Sequence, residues 1–588
     1  AYTARNGEYL AKMSARIVAT LAALLLVGCD SDPAADRVKA DLILTNGALY
    51  TVNATRPWAE AVAISGGRYV YVGSTAGATE YRGDTTEVVD LDGRMVMPGI
   101  NDVHSHAWQG GYKELYECNF AFTATPQEIE ATVADCVAES DDDVVWITGG
   151  QWTSDFFIDN EIDSPKGWLD RVSGNKAVYF EDDATHNAWV NSKALEIAGI
   201  TADTPDPPGG SYVRNADGEP NGLVLETAKP IIESFIPDWT HEQNVASIAK
   251  AVELANAVGL TGIHEARTPP QVAAAYRQVD EEGLLTAYAI INMQTPRGQR
   301  DEPMDIASII EVAEQNATEH VRSRSAKIFL DGVPTASRTG LMIDPYLTTE
   351  DFPEATRGHS LVPENVLAED LARLDAAGFT VKMHAAGDGA VRIALNAVEA
   401  ARRANGDSGL RHEIAHAGYI HPDDLPRFAE LNVTADLSPY LWYPRPIIDS
   451  IVGAVGDRAN YYWPIRDLLE SGANLAAGSD WPSVAESMNP WPAIEAMVTR
   501  RNPFDHGQAA LWPEQAITLE QALRIFTLGG ALAYRLESLT GSIEAGKSAD
   551  FIVLSHNLFD VPVERISDTK VLQTWFEGKR VYDTVARP

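Results

Sequence analysis

The sequence predicts an α/β protein: a (β/α)8 TIM barrel, a β-sandwich domain built from both termini, and a large insertion after the first barrel strand. Three observations carry this. Across residues 99–540, eight short apolar runs recur, each followed by a polar or glycine-bearing break and then a helical pattern. Such alternation makes parallel βα units, and eight of them close a barrel. Short alternating stretches lie before that region (41–98) and after it (541–588), as two halves of one sheet domain. Finally, the span 99–540 far exceeds the ~250 residues of a typical barrel. Setting aside about 107–258, between the first and second runs, brings it close.

Taken in order, the chain begins with a targeting pattern. Lys12 and Arg16 precede an apolar run at 17–27 that ends in Leu26-Val27-Gly28-Cys29. A positive region, a short apolar core and a small residue before the break describe a secretory signal at 1–29. The ending resembles a lipobox, in which Cys29 carries lipid; 30–40 is then a tether, and 1–12 reads as upstream sequence with Met13 as the start. The expectation is an exported lipoprotein, periplasmic or outer-surface, touching membrane only through Cys29. A buried N-terminal helix is the other reading.

The first half of the sheet domain reads as a hairpin at 41–52 around Asn46-Gly47, a second at 61–72 around Gly66-Gly67, and a strand at 87–97. The closing half has a Gly-Lys turn and a strand within 541–554 and two runs around Gly578 within 571–581. Barrel strands are expected at 100–106, 260–265, 285–293, 326–331, 379–384, 411–416, 433–437 and 474–480. Helices are expected at 244–257, 366–377, 389–404 and 423–431. The insertion has strand-like runs of its own at 144–147 and 177–180 and reads as a folded lid beside the barrel mouth. Cys118 and Cys136 are an even pair, suggesting a disulfide in an exported protein, with two buried thiols as the alternative.

Charge narrows the partners. Acidic side chains outnumber basic ones by 84 to 46 in 588 residues, a net charge of -38. Such a field repels phosphate backbones, which leaves nucleic acid out and a small-molecule substrate in. A homo-oligomer is compatible with the sequence.

The chemistry concentrates at 97–108, MPGINDVHSHAW. Pro98-Gly99 punctuates the chain, a short buried strand follows, and His104 and His106 stand at its end. On a strand, residues i and i+2 share a face, so the two imidazoles converge as ligands of one metal must; Asp102 shares that face. In a (β/α)8 barrel the functional groups sit at the C-terminal strand ends. Those ends supply His104, His106, Lys327, His384, His416 and Asp480. A lone His or Asp there is usually structural. Together they are a nitrogen and oxygen ligand set on one rim.

This combination resembles the amidohydrolase superfamily (amidohydrolase family 3), in the branch of N-substituted formamide deformylases and related exported hydrolases. The resemblance rests on PGINDVHSHAW, NAWVNSKAL, KIFLDG, HAAGDGA, RHEIAHA and GSDWP and covers residues 41–582. It implies that His104, His106 and Asp480 bind one divalent metal. It implies that His384 and His416 bind a second, bridged by Lys327 as a carboxylated lysine. Imidazole and carboxylate ligands suit zinc, with iron or manganese as alternatives. His412 and His416 lie four residues apart, ~13 Å along a strand, and His416 is the one at the C-terminal end. The family often has an acid where Ala415 stands. Lys327 is expected to start its strand and reach upward; Asp331, on the same face, is either an oxygen ligand or the partner that orients the lysine. His186 occupies a place where the family usually carries a histidine. Trp108, Trp152 and Trp481 are candidates to line an apolar pocket, lid packing being the other reading. His264 and Glu265 either touch substrate or buttress the rim. The implied activity is hydrolysis of a non-peptide amide-type C–N bond, as in an N-acyl or N-formyl amine, with metal-activated water and Asp480 as the proton acceptor. The alternatives are an ester, lactone or cyclic amide at the same site, or a catalytically silent surface-anchored binding protein.

Overall fold

The computed structural model describes residues 37–584, apart from 122–123, 153–155, 183–186, 208–209, 227, 297, 336, 350–351 and 484. The signal and lipobox segment with Cys29, and His186, lie outside the described residues. No helix among the described residues is long and apolar enough to cross a membrane.

Eight parallel strands form one sheet in sequential order: β1 (Ile100–Ser105), β2 (Leu260–Thr268), β3 (Tyr288–Gln294), β4 (Val321–Phe329), β5 (Thr380–Ala385), β6 (Glu413–His416), β7 (Thr434–Leu437) and β8 (Asn474–Ala477). The sheet closes through the chain just past β8. Asp480 donates its N–H to the His104 carbonyl (2.6 Å), and His106 donates to the Trp481 carbonyl (2.7 Å). This is the expected TIM barrel, with all eight strands where the apolar runs placed them.

Several boundaries shift by one to three residues, and the largest shift is at the start of β4. β4 begins at Val321, five residues before the expected start, because Arg322 and Arg324 alternate outward while Val321, Ser323 and Ser325 point in. Lys327 is therefore the seventh of nine residues, near the C-terminal end, and needs no upward reach.

The wall is helical. Glu364–Ala376 buries Val366, Leu367, Leu371 and Leu374, and full burial of each such side chain is worth roughly 1.5–3 kcal/mol. His241–Ala257 starts at a capping box in which Thr240 and Gln243 each satisfy the other's backbone N–H. Ala107–Tyr116 lies against it so closely that a Cβ on Gly111 would meet the Ser247 carbonyl at 1.9 Å. Both ends of segment 107–258 thus belong to the barrel wall.

Between them stands a six-stranded sheet. Cys118–Asn119, Trp146–Trp152 and Ala177–Asp182 run parallel; Asn187–Val190, Pro220–Glu226 and Gly210–Arg214 continue it antiparallel. Its aromatic core includes Trp152, Phe157, Trp168, Phe180 and Trp189. A disulfide joins Cys118 to Cys136. The sheet reaches the barrel mouth through Gln151, which takes a hydrogen bond from Lys113 (2.6 Å) and donates one to the Pro482 carbonyl (3.3 Å).

Two further sheets face each other across Leu42, Leu44, Val62, Phe551, Val553 and Trp575. One is four-stranded and drawn from the N-terminal half. The other is six-stranded and pairs Met95–Pro98 with Phe551–Leu554, so both termini build it. The hairpins at Gly66-Gly67 and Gly578 form. The one expected at Asn46-Gly47 does not: Leu42–Thr45 and Ala48–Tyr50 enter different sheets. The local turn signal holds, but burial of Leu42 and Leu49 from either side of one core sends the strands apart.

Candidate metal centre

Three strand ends, those of β1, β5 and β6, bring four imidazoles together. The His104 ring centre lies 6.1 Å from that of His106 and 4.8 Å from that of His416, and His384 lies 4.6 Å from His416. Asp480 Oδ1 stands 3.7 Å from His104 Nε2 and 3.5 Å from His106 Nε2. Ligand atoms of His104, His106 and Asp480 all fall within 4.8 Å of one another. Lys327 Nζ is 3.3 Å from His104 Nε2. The expected rim set is gathered at one place.

Backbone strain helps to gather it. His416 and Asp480 have φ of 68° and 58°, which costs non-glycine residues about 1–3 kcal/mol each. Glu413 points into the barrel, where it meets Lys382, so period two would turn His416 outward. The positive φ turns it back. His412, just before β6, is buried outside the centre, between the Val381 N–H (3.1 Å) and Asp375 (3.0 Å).

Three of the four rings are held through their other nitrogen. His104 Nδ1 bonds to Asp436 Oδ2 at 2.7 Å, His384 Nδ1 to Asp331 Oδ1 at 3.0 Å, and His416 Nδ1 to Ser438 Oγ at 3.2 Å. Asp331 also accepts N–H bonds from Leu341, Ala386 and Gly387. It therefore orients His384, and neither role foreseen for it, oxygen ligand or partner of the lysine, applies. The reason is that β4 ends at Phe329, so strand parity no longer ties Asp331 to Lys327. Ser438 gives His416 the partner that Ala415 cannot. Asp102 faces inward but stops short of the rim: it accepts from Ser479 Oγ (2.6 Å) and from the N–H groups of Ser479 and His104, tying β1 to the end of β8.

The electrostatics favour free ligand lone pairs. Burial, reinforced by nearby cationic and imidazole groups, holds His104 and His416 well below the usual histidine range. Burial alone would raise Asp480, but His106, His104 and His416 outweigh it and keep the carboxyl well below its ordinary value. Burial, then the charge of Lys382, pulls Lys327 down to about 7. His106 Nδ1 and Glu265 Oε1, both buried without a hydrogen-bond partner, stand 3.9 Å apart. Neutral imidazoles, an ionised carboxylate and a poised amine suit a divalent metal.

The tryptophans sit elsewhere than a shared pocket. Trp152 is in the core of the inserted sheet, its indole N–H 3.4 Å from the Phe180 carbonyl. Trp108 packs on Trp239 and bonds to Asn244 (2.7 Å). In each case an indole N–H finds its acceptor away from the rim. Trp481 alone stays beside the centre, buried so tightly over Gly110 that a Cβ there would lie 2.1 Å from the ring. His264 packs edge-on against Tyr534, and Glu265 accepts from the Trp108 N–H and the Tyr276 hydroxyl; both buttress the rim. A cavity of about 930 Å³ opens between the loops after β7 and β8, lined by Tyr443, Ile448, Glu486 and Phe504 among others, with none of the gathered ligand-type residues in its wall.

Sequence reasoning missed the layer beneath: Lys382, Glu413, Asp436, Ser438 and Ser479. The available signal was charge inside buried strands, Lys382 two residues before His384 and Asp436 in the third position of β7.

Comparison with known proteins gives the same direction. The chain is 30% identical over 560 residues to protein LONG AFTER FAR-RED 3 of Arabidopsis thaliana, covering 93% of this chain and 92% of that one. It is 28% identical over 570 residues to an N-substituted formamide deformylase of Arthrobacter pascens, covering 92% and 98%. A metal-dependent hydrolase from Pyrococcus horikoshii shares the fold at a TM-score of 0.70 and 23% identity, over 89% of this chain and 99% of that one. Residues 87–582 match the amidohydrolase family throughout, and the chain belongs to that family.

Proposed function

We propose that the protein is a metal-dependent hydrolase that splits the amide-type C–N bond of a small N-acyl or N-formyl amine. The observation that carries this is the buried cluster of His104, His106 and Asp480 on the barrel rim, with Lys327 beside it. The similarity to a formamide deformylase supports the bond type.

His104, His106 and Asp480 would hold one divalent ion, zinc by ligand type, and His384 and His416 a second, with Lys327 between them as a carbamate. Bound there, the metal supplies a Lewis acid for the carbonyl and lowers the pKa of water toward neutrality. The chain's own residues do the rest. Asp480, ionised and facing the centre, takes the proton of the attacking water and delivers it to the leaving amine. Water adds to the acyl carbon, the C–N bond breaks, and a carboxylic acid and an amine result. Lys327, poised near neutrality, has the free amine that carbamate formation needs: its nitrogen bonds to carbon dioxide and releases one proton.

The same reading takes the protein as exported and lipid-anchored through Cys29, supported by the Leu-Val-Gly-Cys ending. Palmitate labelling that disappears in Cys29→Ala is the expected result; an unlabelled chain that keeps its N-terminus refutes it. For the activity, a panel of N-formyl and N-acyl amines is assayed before and after metal stripping. Turnover that vanishes on stripping and returns with zinc is expected. Full activity in stripped protein overturns the reading.

A further inference from the structure

Away from the metal centre, one buried cation pairs with no carboxylate among the described residues. Arg500 follows the helix Pro490–Thr499, beyond β8, and is fully buried. Its guanidinium carbon stands 5.1 Å from the ring centre of Trp442 and 5.9 Å from that of Trp512. Trp463 completes the group, its ring centre 6.1 Å from that of Trp442 and 6.2 Å from that of Trp512. Nε of Arg500 donates to the Leu511 carbonyl (3.0 Å), but Nη1 and Nη2 are buried without a hydrogen-bond partner. The indole N–H groups of Trp442 and Trp463 are buried and unpartnered as well. Trp512 differs, since it donates to Asn460 at 2.7 Å. Glu495, buried on the same helix, is taken up by His506 (2.9 Å) and the Ser567 N–H (2.9 Å). Glu514, an exposed side chain, acts on the guanidinium only through its charge.

A guanidinium holds its proton more firmly than any other side chain. Burial, opposed by the Glu514 charge, pulls Arg500 down only to about 9, so it is charged at neutral pH. Stacking on two indoles engages the faces of the guanidinium and leaves its edge donors unspent. A buried charge without a counter-charge is costly, and so is each hydrogen bond left unmade. Every unspent atom of Arg500, Trp442 and Trp463 is a donor. A water molecule takes two such bonds but brings two hydrogens that need acceptors of their own. A small anion accepts from all of these donors and cancels the charge as well.

We propose that Arg500, Trp442 and Trp463 bind a small monovalent anion, chloride being the abundant one. Trp442 and Trp463 stand between β7 and β8, whereas Arg500 and Trp512 follow β8. The anion thus ties together the two segments that wall the cavity beside the barrel mouth. Tyr443, in that wall, is the residue after Trp442. Leu511 donates its N–H to the Arg500 carbonyl (2.7 Å) and accepts from Arg500 Nε, which closes a loop carrying Phe504 to the same cavity. Neither the donors nor the test involves the metal centre.

Crystals grown in chloride and in bromide, measured at wavelengths where each ion scatters anomalously, test the site directly. A peak within hydrogen-bond reach of Arg500 Nη1 or Nη2 is expected in at least one of them. No such peak in either, with ions only on the surface or water against the guanidinium, overturns the proposal. In solution, wild type should melt at a higher temperature in chloride than in gluconate of equal ionic strength, and the shift should grow with the logarithm of chloride concentration. Trp442→Phe and Trp463→Phe keep an aromatic ring and delete one donor each, and each should weaken chloride binding about three- to tenfold. Arg500→Met should abolish the chloride dependence; should it fail to fold, the two phenylalanine variants carry the measurement. Equal melting of wild type in both salts, unchanged chloride affinity in both phenylalanine variants, or a chloride shift retained in Arg500→Met would each refute the site.

Discussion

Two regions of this molecule place a histidine among carboxylates, and they use it in opposite ways. On the C-terminal rim, His104 and His106 converge with Asp480. At the other end, where the barrel meets the sandwich, His320 stands 2.6 Å from Asp280 and 3.4 Å from Glu577, with Glu319 adjacent. The ligand atoms of His104, His106 and Asp480 lie within 4.8 Å of one another, and so do those of Glu319, His320 and Glu577. Their electrostatics separate them. Burial and neighbouring cations hold His104 well below the usual range. The carboxylates of Glu577 and Asp280 push His320 up to about 9, against burial. A neutral ring offers a lone pair; a charged ring clamps two carboxylates. Distance alone does not make a metal site.

The largest effect should come from the rim. His104→Ala/His106→Ala should lose both metal and turnover, while Asp480→Asn should keep its fold and lose about 10²–10⁴-fold in kcat, the range for removing a general base. Calorimetry beside the assay separates the two. Metal-replete, fully active double variant would erase the distinction between the regions.

Lys327→Ala comes next, with a loss on the order of 100-fold. Added acetate or propionate should restore part of it if a carbamate bridges two ions; no rescue at any concentration would favour a single ion.

A third change sits away from both regions. Replacing Cys118 and Cys136 with Ser opens a loop of sequence separation 18, which should cost about 3 kcal/mol by chain entropy. The loss should show in thermal melting, with metal content unchanged. Metal loss in step with the melting temperature would tie the inserted sheet to the centre.

The smallest effect belongs to the seam. Folding raises His320 from its free value of about 6.5 to about 9. Its contribution is therefore complete below pH 6.5 and disappears as pH rises through 9. His320→Gln should cost about 1 kcal/mol at pH 6, given partial solvent screening, and nothing near pH 10, with turnover intact. A gap that widens with pH would reverse the assignment.

Much of this was legible in the sequence, for identifiable reasons. The barrel strands are buried on both faces and read as continuous apolar runs, and the rim residues follow them directly. What escaped notice depended on contacts between distant strands. Asp436 meets His104 across 332 positions, and no local pattern announces that. The early part of β4 was hidden by Arg322 and Arg324, whose outward alternation masks a strand. His416 was selected by its place at the strand end, yet strand parity would have turned it away; the positive φ that returns it to the rim has no signature in residue type. Asn46-Gly47 shows the converse, a strong turn signal overridden by a core that needs its two strands in different sheets.

The central claim is that the rim, and not the seam, holds metal. The most direct measurement is metal per chain after exhaustive dialysis, by elemental analysis of wild type, His104→Ala/His106→Ala and His320→Gln side by side. The account predicts stoichiometric metal in wild type and in His320→Gln, and none in the rim variant. Metal retained by the rim variant, or lost with His320, would contradict it.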